Sequence, residues 1–180
     1  AHGAHFYDDS YQSWQLHILF LAREGFRITK PQAHLYAFCD IDRFHEFKMV
    51  LELEGWKCFR TPLIAVNPTS ARAPWPEHGP QRKWQMIIYA IKGQKHVTQL
   101  RADVLTYPSD DNLNHHAQKP VALYADLLAR SCSPGDSVLD PFCGTGTIFP
   151  AAHGMKVRAT GVEIDDSAYG IAVKRLEELK

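Results

Sequence analysis

The sequence predicts an α/β fold, a three-layer α/β/α sandwich with a mostly parallel sheet, on three observations. The stretch from Ser137 to Asp166 reads SVLDPFCGTGTIFPAAHGMKVRATGVEIDD. An apolar run ends on Asp140-Pro141, a glycine-rich turn through Gly144 and Gly146 opens a short helical segment, and a second strand-like run, Val157 to Val162, ends on Glu163. That order is the signature of a nucleotide-binding crossover. Upstream, short apolar runs of strand length alternate with stretches whose apolar residues recur at helical spacing. Finally, 45% hydrophobic content over 180 residues is enough to bury a core, most simply as one domain spanning residues 1–180.

Residues 1–9 lack periodicity and read as a loop; His2 and His5, without further ligands nearby, suggest no metal. Ser10 is a plausible N-cap, after which Trp14, Ile18, Leu21 and Ala22 fall on one helical face until Gly25, a natural stop. Leu35 to Phe38 has the length and aromatic content of a strand. Asp40 or Asp42 can cap the next helix, whose buried stripe is Phe44, Phe47, Val50 and Leu51 and whose end is Gly55. Trp56 to Val66 reads as one or two strands. Residues 67–83 form a proline-rich basic loop, with Pro68, Pro74, Pro76 and Pro80 too closely spaced for regular structure; loops of this length are functional or disordered. Trp84 to Ile91 is a continuous apolar strand turned by Lys92-Gly93, and residues 94–114 read as a short irregular segment. Pro120 then starts a helix with Leu123, Tyr124, Leu127 and Leu128 inward, since a missing N–H costs nothing at a helix start. Asp165 or Asp166 caps a last helix carrying Tyr169, Ala172, Val173, Leu176 and Leu179 at helical spacing.

Formal net charge is zero, yet the charges are unevenly placed. Residues 55–102 carry eight Lys/Arg against Glu77 alone, a block of +7 between flanks of −3 and −4. Such a block, interleaved with Trp75 and Trp84, is the pattern of a phosphate-facing surface, and Arg72, Trp75, Arg82 and Lys83 are its candidate contacts; a solvated basic face balanced by an acidic one reads equally well. The four cysteines form no C-x-x-C pair, which argues against zinc and against a disulfide framework. No run of about 18 apolar residues occurs and no basic-then-apolar leader opens the chain, so a reduced cytosol and no membrane partner are expected.

The glycine turn lets a ligand approach the backbone, and the helix that follows offers unpaired N–H groups. A phosphate-cradling loop needs Lys-Ser/Thr after its last glycine, where this chain has Thr147-Ile148. A dinucleotide fold wants a small residue where helix meets strand, and here stands Phe149. The remaining reading is S-adenosylmethionine, which has no pyrophosphate: the turn must accommodate an amino acid and a nucleoside, and Glu163 at the next strand tip can accept both ribose hydroxyls.

LDPFCGTGT resembles the Asp-Pro-Phe-x-Gly-x-Gly-Thr motif of the DNA amino-methyltransferases that modify adenine N6 or cytosine N4. HHAQKPVALYADLL is similar to the His-Pro-Thr-Gln-Lys-Pro stretch preceding that motif in the same group, with His116 in place of Pro and Ala117 in place of Thr. The resemblance implies a Rossmann-like methyltransferase fold, with residues 115–180 as the cofactor-binding part. It implies S-adenosylmethionine held by Gln118, Lys119, Pro120, Asp140, Pro141, Phe142, Cys143, Gly144, Gly146 and Thr147, with Glu163 on the ribose and Ile164 against adenine. The implied partner is duplex DNA with the target base flipped out. The group's catalytic Asp-Pro-Pro-Tyr occurs nowhere in these 180 residues; the group's order places it just upstream of Ala1, so the chain is expected to be a fragment, and no catalytic residue is assigned. A non-catalytic cofactor- or DNA-binding module, or a methyltransferase acting on RNA or protein, are the competing readings.

Overall fold

A computed structural model of the chain describes residues 10–70, 73, 75–109 and 118–179. The loop reading of residues 1–9, and Arg72, His116 and Ala117, lie outside the described residues. The chain divides into two compact units, residues 1–63 with 86–95, and residues 64–85 with 96–180.

In the first unit, helix α1 (Tyr11–Ile28) begins at Ser10, whose hydroxyl accepts from the Ser13 amide at 3.2 Å. Helix α2 (Ile41–Leu53) follows strand β1 (Ala33–Cys39). Strand β2 (Lys57–Cys58) and strand β4 (Trp84–Lys92) complete the unit, with β1 and β2 both antiparallel to β4 and Tyr36 opposite Tyr89. Ile18 and Ala22 of α1, Phe47 and Leu51 of α2, Trp56, Ile88 and Ala90 form one buried cluster. Alternation along β4 sends Ile88 and Ala90 to the same face, which is why two helices can share it. The Trp56 indole is satisfied inside that cluster, donating to the Ala22 carbonyl at 2.9 Å.

Of two glycines expected to end helices, one does. Gly55 has φ +99°, its N–H reaches the Glu52 carbonyl at 3.2 Å and the Trp56 N–H reaches Leu51 at 3.1 Å. This is the paired-bond termination that needs a left-handed residue. Gly25, expected to stop α1, instead lies within it, and the helix runs to Ile28, where Thr29 returns both its N–H and its hydroxyl to the Gly25 carbonyl. A Cβ there would stand 3.7 Å from the Trp56 ring, an ordinary contact.

In the second unit strand β3 (Leu63–Val66) pairs in parallel with β5 (Val104–Thr106), so the interval expected to be irregular contains a short strand. Helix α3 (Val121–Ala129) follows Pro120, which occupies the cap position at φ −62°. Strand β6 (Ser137–Asp140), the glycine turn, helix α4 (Ile148–Gly154) and strand β7 (Arg158–Gly161) make a parallel crossover with Asp140 opposite Gly161, and helix α5 (Asp166–Glu177) follows. The Asp165 side chain caps α5 by accepting from the Ala168 amide at 2.8 Å. Of the apolar residues recurring along α5, Ala172 alone is buried, while Tyr169 is exposed.

Phe149 stands where a dinucleotide fold would have a small residue, and the space it needs comes from two glycines. A Cβ on Gly146 would fall 2.7 Å from the Phe149 ring and 2.9 Å from the Ala172 Cβ; one on Gly161 would fall 2.8 Å from the same ring. Helix α4 thus packs on β6 and β7 through a large side chain seated between two bare backbones, with Leu128, Cys143, Ala151 and Val157 around it.

A second brace in this unit is polar. Asp126 of α3 is buried and accepts from Arg130 at 2.7 Å, Arg101 at 2.8 Å and the Tyr107 hydroxyl at 2.9 Å. Arg130 also donates to the Ala102 carbonyl at 2.8 Å, so one carboxylate ties residues 101–107 to α3. Burial pushes the Asp126 carboxyl up, but its bonds to Arg130, Tyr107 and Arg101 outweigh that and hold it below the usual carboxylate range.

Asp126→Ala leaves the Arg130 cation buried and unpaired and is expected to destabilise the protein by about 3 kcal/mol or more, read as a lowered urea midpoint. Gly146→Ala is expected to cost about 1–3 kcal/mol through overpacking against Phe149 and strain at φ +76°, checked the same way.

Candidate functional site

The glycine turn is built by backbone bonds that bring β6 and β7 to a common end. The Cys143 N–H reaches the Val162 carbonyl at 3.0 Å, Val162 N–H reaches Asp140 at 2.9 Å, and Gly146 N–H reaches Cys143 at 2.8 Å. Gly144 has φ +53° and Gly146 φ +76°. The two glycines differ in purpose: Gly146 faces the Phe149 core, while a Cβ on Gly144 would meet nothing within 4 Å. Gly144 therefore presents bare backbone to open space.

Glu163, two residues past β7, meets this turn. One of its carboxylate oxygens accepts from the Gly144 N–H at 2.7 Å, and the other accepts from the Ile164 and Asp165 amides, both at 2.9 Å. Ile164 is 87% exposed beside it. Asp140, at the end of β6, accepts from the Phe142 amide at 3.1 Å and is hydrogen-bonded by the Tyr124 hydroxyl of α3. Burial, with the Glu163 charge adding to it, raises the Asp140 carboxyl above its usual range. Burial likewise raises Tyr124, and pushes the Cys143 thiol to about 11, so Cys143 is a protonated apolar filler and not a nucleophile. Two carboxylates, Asp140 and Glu163, thus lie close enough for their charges to interact beside the glycine turn. That charge repels phosphate and favours a cationic ligand with hydroxyls to donate.

The segment Gln118-Lys119-Pro120 is joined to the turn. The Thr145 hydroxyl donates to the Gln118 side-chain oxygen at 3.2 Å, and Thr145 is itself buried. Thr147, buried as well, accepts at its hydroxyl from Arg175 of α5 at 3.2 Å. The turn, the acid and the Gln-Lys-Pro segment, separated in sequence, are therefore brought together, with Phe142 of the turn exposed. Tyr124, Thr145 and Arg175 were not singled out by sequence reasoning. The alternating Gly-Thr-Gly-Thr offered a signal for Thr145; nothing local marks Arg175, which arrives from a later helix.

The candidate nucleic-acid contacts divide. Arg82 and Lys83 line a cleft of about 540 Å³ together with Asn67, Ser109, Gln118 and Lys119. Trp75 is 73% exposed on the loop turn and is not among the residues lining the cleft. The Lys83 ammonium donates to the Pro68 carbonyl at 3.1 Å and to the Ser70 carbonyl, so it also holds the loop in shape. Among the described residues no group of three or more His, Cys, Asp and Glu could hold a metal ion, and no helix is long and apolar enough to cross a membrane.

The chain is similar to known proteins in sequence and in fold. In sequence, a 66-residue stretch is 39% identical to the type II methyltransferase M.HinfI of Haemophilus influenzae, covering 37% of this chain and 18% of that protein. A 71-residue stretch is 37% identical to the DNA adenine methyltransferase YhdJ of Escherichia coli, covering 39% of this chain and 24% of that protein. The matches thus span about a fifth of the curated relatives. In structure, the M1.HpyAVI–SAM complex superposes with a TM-score of 0.78 at 20% identity over 94% of this chain and 85% of that one. The cytosine-N4-specific PvuII DNA methyltransferase superposes at 0.74 with 12% identity over 93% and 76%. These superpositions establish a Rossmann-like methyltransferase fold. The family model for N6/N4 DNA methylases matches residues 4–174, and with nearly the whole chain covered the protein belongs to that DNA methylase family.

Proposed function

We propose that this chain carries the cofactor-binding part of an S-adenosylmethionine-dependent DNA methyltransferase acting on an exocyclic amine of adenine or cytosine. The observation that carries the reading is the meeting of the Gly144 N–H with the Glu163 carboxylate at 2.7 Å, beside open space at the Gly144 Cβ position. The donor set fits the cofactor. A carboxylate already accepting three backbone N–H groups is fixed in place to receive ribose hydroxyls, and the exposed Ile164 offers the adenine an apolar wall. Asp140, at the neighbouring strand end, adds negative charge suited to an ammonium or sulfonium group. Gln118, Lys119 and Pro120, tied to the turn through Thr145, would hold the amino-acid end.

When bound, S-adenosylmethionine supplies an electrophilic methyl group on its sulfonium. The chain's own residues then fix that methyl: the Gly144 backbone and Glu163 set the nucleoside, and the segment starting α3 sets the opposite end. Positioning of this kind lowers the barrier by removing orientational freedom before reaction. No catalytic residue is assigned among these 180 positions; DNA is the proposed partner, with the target base extruded from the duplex to reach the methyl.

Three measurements test the reading. Glu163→Ala should weaken S-adenosylmethionine binding by about 1.5–3 kcal/mol through loss of charge-assisted hydrogen bonds, and unchanged affinity by calorimetry removes Glu163 from the site. Gly144→Val should abolish cofactor binding, because it both fills the open approach and strains φ +53°; a thermal melt separates that loss from unfolding. Transfer of labelled methyl groups to DNA, with RNA and protein as competitors, checks the substrate, and no base methylation by the full-length gene product sinks the assignment.

A further inference from the structure

We propose that Tyr124 is a positioning residue for cofactor binding: its phenol, reaching from α3 to the Asp140 carboxylate at the tip of β6, keeps that carboxylate oriented and charged for the cofactor's positive end. The inference rests on the function proposed above and adds to it a residue outside the glycine, acid and Gln-Lys-Pro motifs. Tyr124 stands one helical turn after Pro120, to whose carbonyl its N–H returns at 3.4 Å. The segment that opens and forms α3 therefore meets the site twice. Gln118 receives the Thr145 hydroxyl at 3.2 Å, and the Tyr124 hydroxyl is hydrogen-bonded to Asp140.

The phenol is suited to that part. Its ring packs against the buried cluster that contains Leu128, Cys143 and Phe149, so the hydroxyl is delivered by a side chain with little freedom left to lose. Burial, with the Asp140 charge adding to it, raises the Tyr124 hydroxyl above the ordinary phenol range, so it keeps its proton and acts here as a donor. Asp140 also accepts from the Phe142 amide at 3.1 Å. Two donors on one carboxylate leave lone pairs for a ligand.

The titratable groups that act on Asp140 are Tyr124 from α3, Cys143 from the turn and Glu163 from beyond β7. No cation is among them. Burial and the Glu163 charge both push the carboxyl toward its neutral form, and the Phe142 N–H and the Tyr124 hydroxyl oppose them. Of those two donors, Tyr124 is the one that a side-chain substitution can remove. An Asp140 that must be ionised to attract a cation binds well above its pKa and loses affinity as pH falls through it. Removing a donor that favours the charged form raises that pKa and moves the loss to higher pH.

The test is calorimetric titration of the full chain with S-adenosylmethionine from about pH 4.5 to 7, below the range in which the cofactor's own amino group titrates. Tyr124→Phe keeps the ring and loses the hydroxyl. It should move the acid limb of log affinity upward by about one pH unit, a loss approaching about tenfold on the acid side of the limb. Asp140→Asn should flatten that limb, and adding Tyr124→Phe to it should change affinity by less than about twofold. Replacing Tyr124 by a ring-fluorinated tyrosine, a stronger donor of nearly the same shape, should move the limb to lower pH and keeps the test decisive if Tyr124→Phe does not fold. A limb at the wild-type pH in Tyr124→Phe, or a shift that persists undiminished beside Asp140→Asn, overturns the proposal while S-adenosylmethionine binding stands. A folded wild-type chain that binds no S-adenosylmethionine at any pH brings down the proposed function, and this inference with it.

Discussion

The second unit depends on Phe149 fitting between two glycines. Seating a ring against the backbone of Gly146 on one side and Gly161 on the other fixes how far α4 stands from β6 and β7. The same two strands pair in parallel with Asp140 opposite Gly161, and their ends carry the Gly144 amide and the Glu163 carboxylate that meet. A ring packed against bare backbone also makes an interior of high density, in which small displacements are costly. The geometry of the glycine turn is thus set jointly by the backbone bonds between the two strand ends and by the hydrophobic packing behind them.

The parts of the fold that were readable in the sequence are those set by local chemistry. Ser10 as a cap, Gly55 as a left-handed terminator and the strand from Trp84 depend on a few neighbouring residues each, and appear as read. Gly25 shows the limit: the same residue type ends one helix and lies inside another, and α1 closes instead on Thr29, whose N–H and hydroxyl return to the Gly25 carbonyl without any glycine to mark the end. Likewise Phe149 counted against a dinucleotide turn, and rightly, but its compensation by Gly161 involves a strand not yet formed when the sequence is read. The three-residue strand β5 is too short to give any periodic signal.

The site was legible as a set of motifs and less so as a set of contacts. Glycine turn, acid and Gln-Lys-Pro segment come together through backbone and side-chain bonds from Gly144 and Thr145. Arg175 carries no motif and Tyr124 was legible only as an inward-facing helix residue, because their part is defined by what they touch. Lys83 is the instructive case among the basic residues. Composition marks it as one of a cluster of charges, while its bonds to Pro68 and Ser70 make it a structural tie of its loop.

Asp126 has a reach beyond its own neighbourhood. By fastening residues 101–107 to α3, it anchors the rear of a rod whose front tip, residues 118–120, borders the cleft and meets the glycine turn. Heat resistance and the placement of Gln118 against the glycine turn then draw on the same carboxylate. A substitution that slackens this helix would therefore be felt where Gln118 meets Thr145 of the glycine turn, far from Asp126 itself.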